Sequence, residues 1–171
     1  MIKASPCRCL PVVNDENKVL GTISEHDLLH EPNIEVILVD HNERTQAVDG
    51  VEHYKIQEVI DHHRLGMFST NYPITFINKT VGATATLITR LYQEARIPIP
   101  KEIAGILLCA ILSDTLILQS ATTTDVDRRA AAYLSDITDL DIQQTGTEIL
   151  TAGSRVEGRG VSEIIHQDMK E

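Results

Sequence analysis

The sequence predicts an α/β domain with a mostly parallel sheet flanked by helices, preceded by a small hairpin-helix unit. Three observations carry this. Two apolar runs rich in β-branched residues, Ile34–Val39 and Lys55–Ile60, read as strands. Each ends in acid and histidine, Asp40-His41-Asn42-Glu43 and Asp61-His62-His63. Such ligands gather on the rim where open α/β sheets place their sites. From Val81 onward the period becomes helical.

At the N-terminal end, Cys9–Val13 reads as a strand, Asn14–Asn17 as a turn of residues that bond their own backbone, and Lys18–Ile23 as a second strand. Ser24 then caps a short helix carrying Asp27, Leu28 and Leu29. Residues 1–30 are too little to bury a core alone. Glu31-Pro32-Asn33 breaks the chain into a linker. Strand Ile34–Val39 is apolar at nearly every position, as expected of a strand covered on both faces. Arg44–Tyr54 is polar, with a turn at Asp49-Gly50, before strand Lys55–Ile60. Leu65–Thr80 is a longer connection holding a short strand, Ile74–Ile77.

The first helix presents Ala85, Ile88, Leu91, Tyr92 and Ala95 on one face. Ile97-Pro98-Ile99-Pro100 ends it. Lys101-Glu102 opens a helix apolar nearly all round, with Ile103, Ile106, Leu107, Ala110 and Ile111 as its expected buried stripe. It runs into Ser113-Asp114-Thr115. Thr122-Thr123-Thr124-Asp125 suits capping; a helix is expected over about 126–135 with Ala130, Ala131 and Leu134 inward, and another over about 142–151 ends before Gly153. Val161–His166 is a short amphipathic piece.

Bulk properties exclude several classes. The chain of 171 residues suits one domain plus a little more. Hydrophobic content of 42% and charged content of 23% are those of a soluble globular protein. Aromatics make up 4%, so the core rests on Ile, Leu, Val and Ala. A net charge of -10 argues against nucleic-acid binding. It leaves an anionic small substrate open, because divalent cations reverse the local sign. Three cysteines without a framework read as free thiols of a cytoplasmic protein. No membrane span or signal peptide is visible.

The chemistry concentrates at four residues. Adjacent side chains at a strand end diverge, so His62 and His63 divide two roles, one a metal ligand and the other facing substrate. Asp40 ends a buried strand, and Asp114 ends a buried helix, where an unpaired charge is costly. Carboxylate with imidazole suits Mn, Fe, Co or Zn, and oxygen-rich sets favour Mn. Asp61 either orients its neighbours or caps a turn. His41 and Asn42 read as turn residues, His26, His30, His53 and His166 as surface residues, Arg64 as solvated, and Thr122–Thr124 as a helix entrance.

Two parts of the chain resemble known families. Leu10–Val13, Val19–Ser24 and Asp27–Leu29 resemble the closing half of a CBS domain, a module that works in pairs and binds adenine nucleotides. Val36–Arg44, Glu58–Arg64, Val81–Thr86, Lys101–Gly105 and Ile111–Asp114 resemble the DHH phosphoesterase superfamily, and within it the two-domain manganese-dependent inorganic pyrophosphatases. The expected organisation is the C-terminal part of a CBS domain over 1–30, a partial DHH phosphoesterase domain over 34–155, and a linker over 156–171 towards an absent C-terminal domain. The combination resembles the subset with CBS modules inside the catalytic domain.

The resemblance implies that Asp40 bridges two Mn2+ ions, with Co2+ or Mg2+ as substitutes, and that His62 and Asp114 ligate one of them. His63 would contact the substrate phosphate and assist the leaving group. The implied reaction is hydrolysis of pyrophosphate to two orthophosphates, in a protein that is cytoplasmic, homodimeric at full length, and responsive to adenine nucleotide where a CBS pair is complete. Neither nucleic acid nor membrane is an expected partner. The family's first motif, a His followed by a Pro-Asp-x-Asp run, has no match here; His30-Glu31-Pro32-Asn33 is a superficial echo. The chain therefore reads as a fragment. Two rivals are another DHH phosphoesterase acting on short oligonucleotides or cyclic dinucleotides, and a non-catalytic fragment that binds metal or a partner chain.

Overall fold

The structure, a computed structural model, describes residues 6–29, 34–66 and 69–153. The expected linker Glu31–Asn33, the piece Val161–His166 and the stretch 156–171 lie outside them. Strands β1 (Cys9–Val13) and β2 (Val19–Ser24) form the expected antiparallel hairpin, with Leu10 opposite Ile23. Its turn closes because the Asn14 carboxamide oxygen accepts from the backbone of Glu16 and Lys18. Ser24 donates through N and Oγ to Asp27 Oδ2 at 2.7 and 2.6 Å. After the hairpin comes a single 3-10 turn, Asp27–Leu29, in place of the short helix the sequence suggested. Val19, Leu20, Leu28 and Leu29 stay exposed, as expected of a unit too small to bury a core.

Strands β3 (Glu35–Val39), β4 (Lys55–Asp61) and β5 (Thr75–Asn78) form a parallel sheet in that order. Leu38 pairs with Val59, and Val59 with Phe76. A register shift between Val36 and Ile37 leaves Gln57 unpaired. This bulge lets Ile56 and Val59 share one face despite their odd spacing. They pack with Leu38 and with Val51, which follows Gly50 (φ 86) in the otherwise polar connection. The opposite face carries Ile60 against Val81 and Leu87.

One expectation for β3 fails. Leu38 is buried, but Ile37 is 54% and Val39 43% exposed. Among the described residues β3 is one of the two edge strands of the sheet, and the face that carries Ile37 and Val39 stays open.

Helices α1 (Thr84–Ala95), α2 (Lys101–Asp114), α3 (Asp125–Thr138) and α4 (Ile142–Gly153) supply the larger core. α1 starts three residues later than the periodic pattern does, because Val81 and Gly82 form a loop. Its most buried residues include Thr86 and Thr89, while Ala95 is exposed. In α2 the buried stripe is Ala104, Leu108, Ile111 and Leu112; Ile103 and Ile106 face out, contrary to the sequence reading. A helix apolar all round carries no phase in its sequence, so packing against α1, α3 and α4 decides which face is buried. Ala130, Ala131 and Leu134 of α3 meet that stripe as predicted. Thr124 caps α3 in a capping box with Asp127. α4 runs through Gly153 rather than ending before it. Among the described residues no helix is long and apolar enough to cross a membrane.

Candidate metal centre

Parallel strands deliver their C-terminal ends to one rim, so β3 and β4 bring their acid–histidine clusters together. Asp40 continues the ladder by one residue, its N–H donating to Ile60 O at 3.0 Å, while its φ of 68° turns the chain away. A left-handed non-glycine residue costs on the order of 1–3 kcal/mol, and such strain clusters at functional positions. His62 comes directly after β4 and donates from Nδ1 to Val81 O at 3.0 Å. A carbonyl only accepts, so the neutral ring carries its proton on Nδ1 and turns Nε2 towards Asp40, 3.6 Å from Oδ1. One ligand atom each from Asp40, His62 and His63 lie within 4.8 Å of one another.

Asp114, the last residue of α2, faces the same cleft, a cavity of about 690 Å3. Burial pushes its carboxyl above the ordinary value, and the Asp40 charge adds to this, against the opposing pull of His62 and His63. Two carboxylates and two imidazoles on one cleft, with no Lys or Arg lining it among the described residues, are a donor set suited to a divalent cation. The remaining lining is Thr80–Gly82 and Ala121–Thr124, on the side reached by α1 and α3.

The two histidines do diverge, their ring centroids 4.2 Å apart and the planes at 61°. The His62 side chain is nearly buried, whereas that of His63 is half exposed. His63 donates from Nδ1 to Asp61 Oδ1 at 2.8 Å. Asp61 also accepts the backbone N–H of His62 and of His63, so it both orients a neighbour and closes the turn, the two alternatives the sequence left open. Burial pushes Asp61 upward, but hydrogen bonds from the His63 and Asn42 side chains and from both backbone N–H groups outweigh it and hold the carboxyl below its ordinary value.

The structure thus brings Asp40, His62, His63 and Asp114 to one cleft. It also shows residues that the sequence reading passed over. Asn42, read as a turn residue, is buried; it donates to Asp61 Oδ2 and Arg64 O and accepts from Gly66 N. Asp127 is fully buried and bonded to the cleft-lining residues Gly82 and Thr124. The Thr124-x-x-Asp127 spacing was its one legible signal, and it speaks of capping alone. Arg64 is exposed, as expected, 3.5 Å from Glu43.

The family model described as DHH family, N-terminal domain, matches residues 5–111. A Thermotoga maritima protein named as a probable manganese-dependent inorganic pyrophosphatase is 40% identical over 171 residues, covering 99% of this chain and 31% of the relative. The manganese-dependent inorganic pyrophosphatase of Bacillus subtilis is 44% identical over 136 residues, 80% of this chain and 44% of the relative. The crystal structure of a Methanococcus jannaschii protein assigned to the family II inorganic pyrophosphatases superposes with a TM-score of 0.67 at 42% identity, covering 71% of this chain and 42% of that one. The chain spans less than half the length of these relatives. With the family model matching well over half of its residues, the chain belongs to the DHH family.

Proposed function

We propose that this chain is the metal-holding part of a manganese-dependent inorganic pyrophosphatase, which hydrolyses pyrophosphate to two orthophosphates. The observation that carries the reading is the convergence of Asp40, His62, His63 and Asp114 on one cleft, in a chain whose relatives bear that name. In this reading Asp40, His62 and Asp114 would hold the cations. When bound, the cations would activate water and neutralise phosphate oxygens. The chain's own groups do the rest. Val81 O fixes the His62 ring, and Asp61 holds the His63 proton at Nδ1 and turns Nε2 outward. His63 then contacts the substrate phosphate and gives a proton from Nε2 to the departing phosphate oxygen.

We further read residues 1–30 as the closing part of a CBS domain and 34–155 as the DHH phosphoesterase domain of a longer cytoplasmic homodimer regulated by adenine nucleotide. What supports a separate front unit is the antiparallel hairpin Cys9–Val13 and Val19–Ser24, which pairs within itself and not with the parallel sheet.

The test is phosphate release from pyrophosphate with added Mn2+, comparing the chain with Asp40→Asn, alongside Mn2+ binding. Release abolished by the substitution supports catalysis by this chain. Binding without release makes it a metal-holding component that needs the rest of the longer protein. Cleavage of a short oligonucleotide in place of pyrophosphate, or absence of Mn2+ binding, overturns the reading.

A further inference from the structure

Asp127 is a buried carboxylate with no ion pair among the described residues. Four donors hold it. Thr86 Oγ1 donates to Oδ1 at 2.6 Å. Thr124 N and Thr124 Oγ1 donate to Oδ2 at 2.7 and 2.6 Å. The fourth is Gly82 N, 2.8 Å from Oδ2 and 45 residues away in sequence.

A cap on α3 needs only Thr124 and Asp127. The bond to Gly82 does something else. Gly82 N–H and Val81 C=O belong to one peptide unit, which is rigid and planar. Its carbonyl is the group that accepts from His62 Nδ1. The plane is therefore pinned at one end by Asp127 and oriented against His62 at the other. Glycine permits this approach, since a Cβ at Gly82 would stand 2.6 Å from Thr115 Cγ2 and 3.1 Å from Asp127 Oδ2. An anion on the N–H also polarises the amide and strengthens its carbonyl as an acceptor.

We infer that Asp127 is a positioning residue for His62: through the 81–82 peptide plane it fixes the tautomer and direction of the ring, so that Nε2 stays turned to Asp40. The consequence for a cation rests on the reading of His62 as a ligand; the consequence for the ring does not.

Two near-isosteric variants of the full chain separate positioning from scaffolding. Asp127→Asn removes the charge that polarises the plane. Thr86→Val removes a bond to the other carboxylate oxygen and leaves the Gly82 contact in place. In 15N-histidine-labelled protein, above the pH at which imidazoles titrate, wild type and Thr86→Val are expected to show His62 as one tautomer, protonated at Nδ1. Asp127→Asn is expected to show a mixture. Mn2+ affinity, read by electron paramagnetic resonance, is expected to fall about tenfold in Asp127→Asn, as for other groups that orient a ligand from behind, and less than about twofold in Thr86→Val. Gly82→Ala displaces the same plane from the other side and is expected to reproduce the mixture, which keeps the test open if Asp127→Asn does not fold. A single Nδ1-protonated tautomer with wild-type affinity in both Asp127→Asn and Gly82→Ala overturns the inference. So do equal losses in Asp127→Asn and Thr86→Val that track a common fall in Tm. A wild-type chain that binds no Mn2+ sinks the metal reading, and the tautomer comparison still decides this one.

Discussion

Single buried polar residues hold the site together, and each makes a measurable claim. Asn42 satisfies Asp61, Arg64 O and Gly66 N at once. Asn42→Ala leaves a buried carboxylate oxygen short of a donor, so a loss of about 2–3 kcal/mol is expected in urea unfolding. A loss below about 0.5 kcal/mol would mean that water takes over those bonds. Asp127 makes a pH-dependent claim. Burial pushes its carboxyl upward, yet bonds from the Thr124 and Thr86 side chains and from the Thr124 and Gly82 backbone prevail and hold it below its ordinary value. The unfolded chain therefore binds this proton more tightly than the fold does. The charged carboxylate stabilises the fold above the ordinary carboxylate range, and that contribution is lost as pH falls through the depressed value. The Tm gap between wild type and Asp127→Asn is expected to be full at neutral pH and to close below about pH 4. A gap independent of pH would show that the charge contributes nothing.

At the scale of elements, the connection after α2 holds the longest run of left-handed residues among the described residues. Leu116, Ile117 and Leu118 all lie in the left-handed region, with φ of 49°, 56° and 62°. Each costs an L-residue roughly 1–2 kcal/mol. The turn persists because its groups are tied down. Thr115 Oγ1 accepts from Leu118 N, Ile117 N donates to Leu112 O, and the Ile117 side chain enters the helical core. This strained turn follows Asp114 after one residue, Thr115, and leads to the cleft-lining segment Ala121–Thr124, so it helps aim both sides of the cleft. Leu116 is 54% exposed, and Leu116→Gly is expected to raise stability by up to about 1 kcal/mol, after allowing for the freer unfolded chain; a lower Tm would argue that the leucine itself packs. Gly146 of α4 makes room for Ile117, whose Cγ1 would lie 2.7 Å from an added Cβ. Helix propensity alone favours Gly146→Ala by about 1 kcal/mol. Overpacking is expected to reverse the sign and cost about 1–3 kcal/mol by thermal melting. A stabilised variant would show that α4 can shift.

For the whole molecule, the proposed site would couple cation binding to folding, because its candidate ligands come from the residue after β3, from the residues after β4 and from the end of α2. Asp114 carries a carboxyl raised first by burial and then by the Asp40 charge, so a cation between the two carboxylates would relieve both costs. Mn2+ is expected to raise Tm in a concentration-dependent way, equivalent to about 2.7 kcal/mol at a hundredfold excess over Kd, and Asp40→Asn to abolish the rise. An equal shift in both proteins would place the bound ions elsewhere.

The sequence by itself determined the order and kind of nearly every described element, and the four residues that meet in the cleft. Those signals are local: β-branched runs, a helical period, an acid or imidazole at the end of an element. The parallel sheet then brings such ends to one rim whatever the details of packing. What only the tertiary structure decided is which face of α2 is buried, since a helix apolar all round carries no phase, and that Ile37 and Val39 on β3 stay open. It also decided the left-handed turn, which no local propensity favours and only the surrounding contacts hold. The Asn42 and Asp127 networks belong there too, because a bond between Gly82 and Asp127 joins residues 45 apart, and only the packing of α3 against the loop before α1 brings that donor and acceptor within reach.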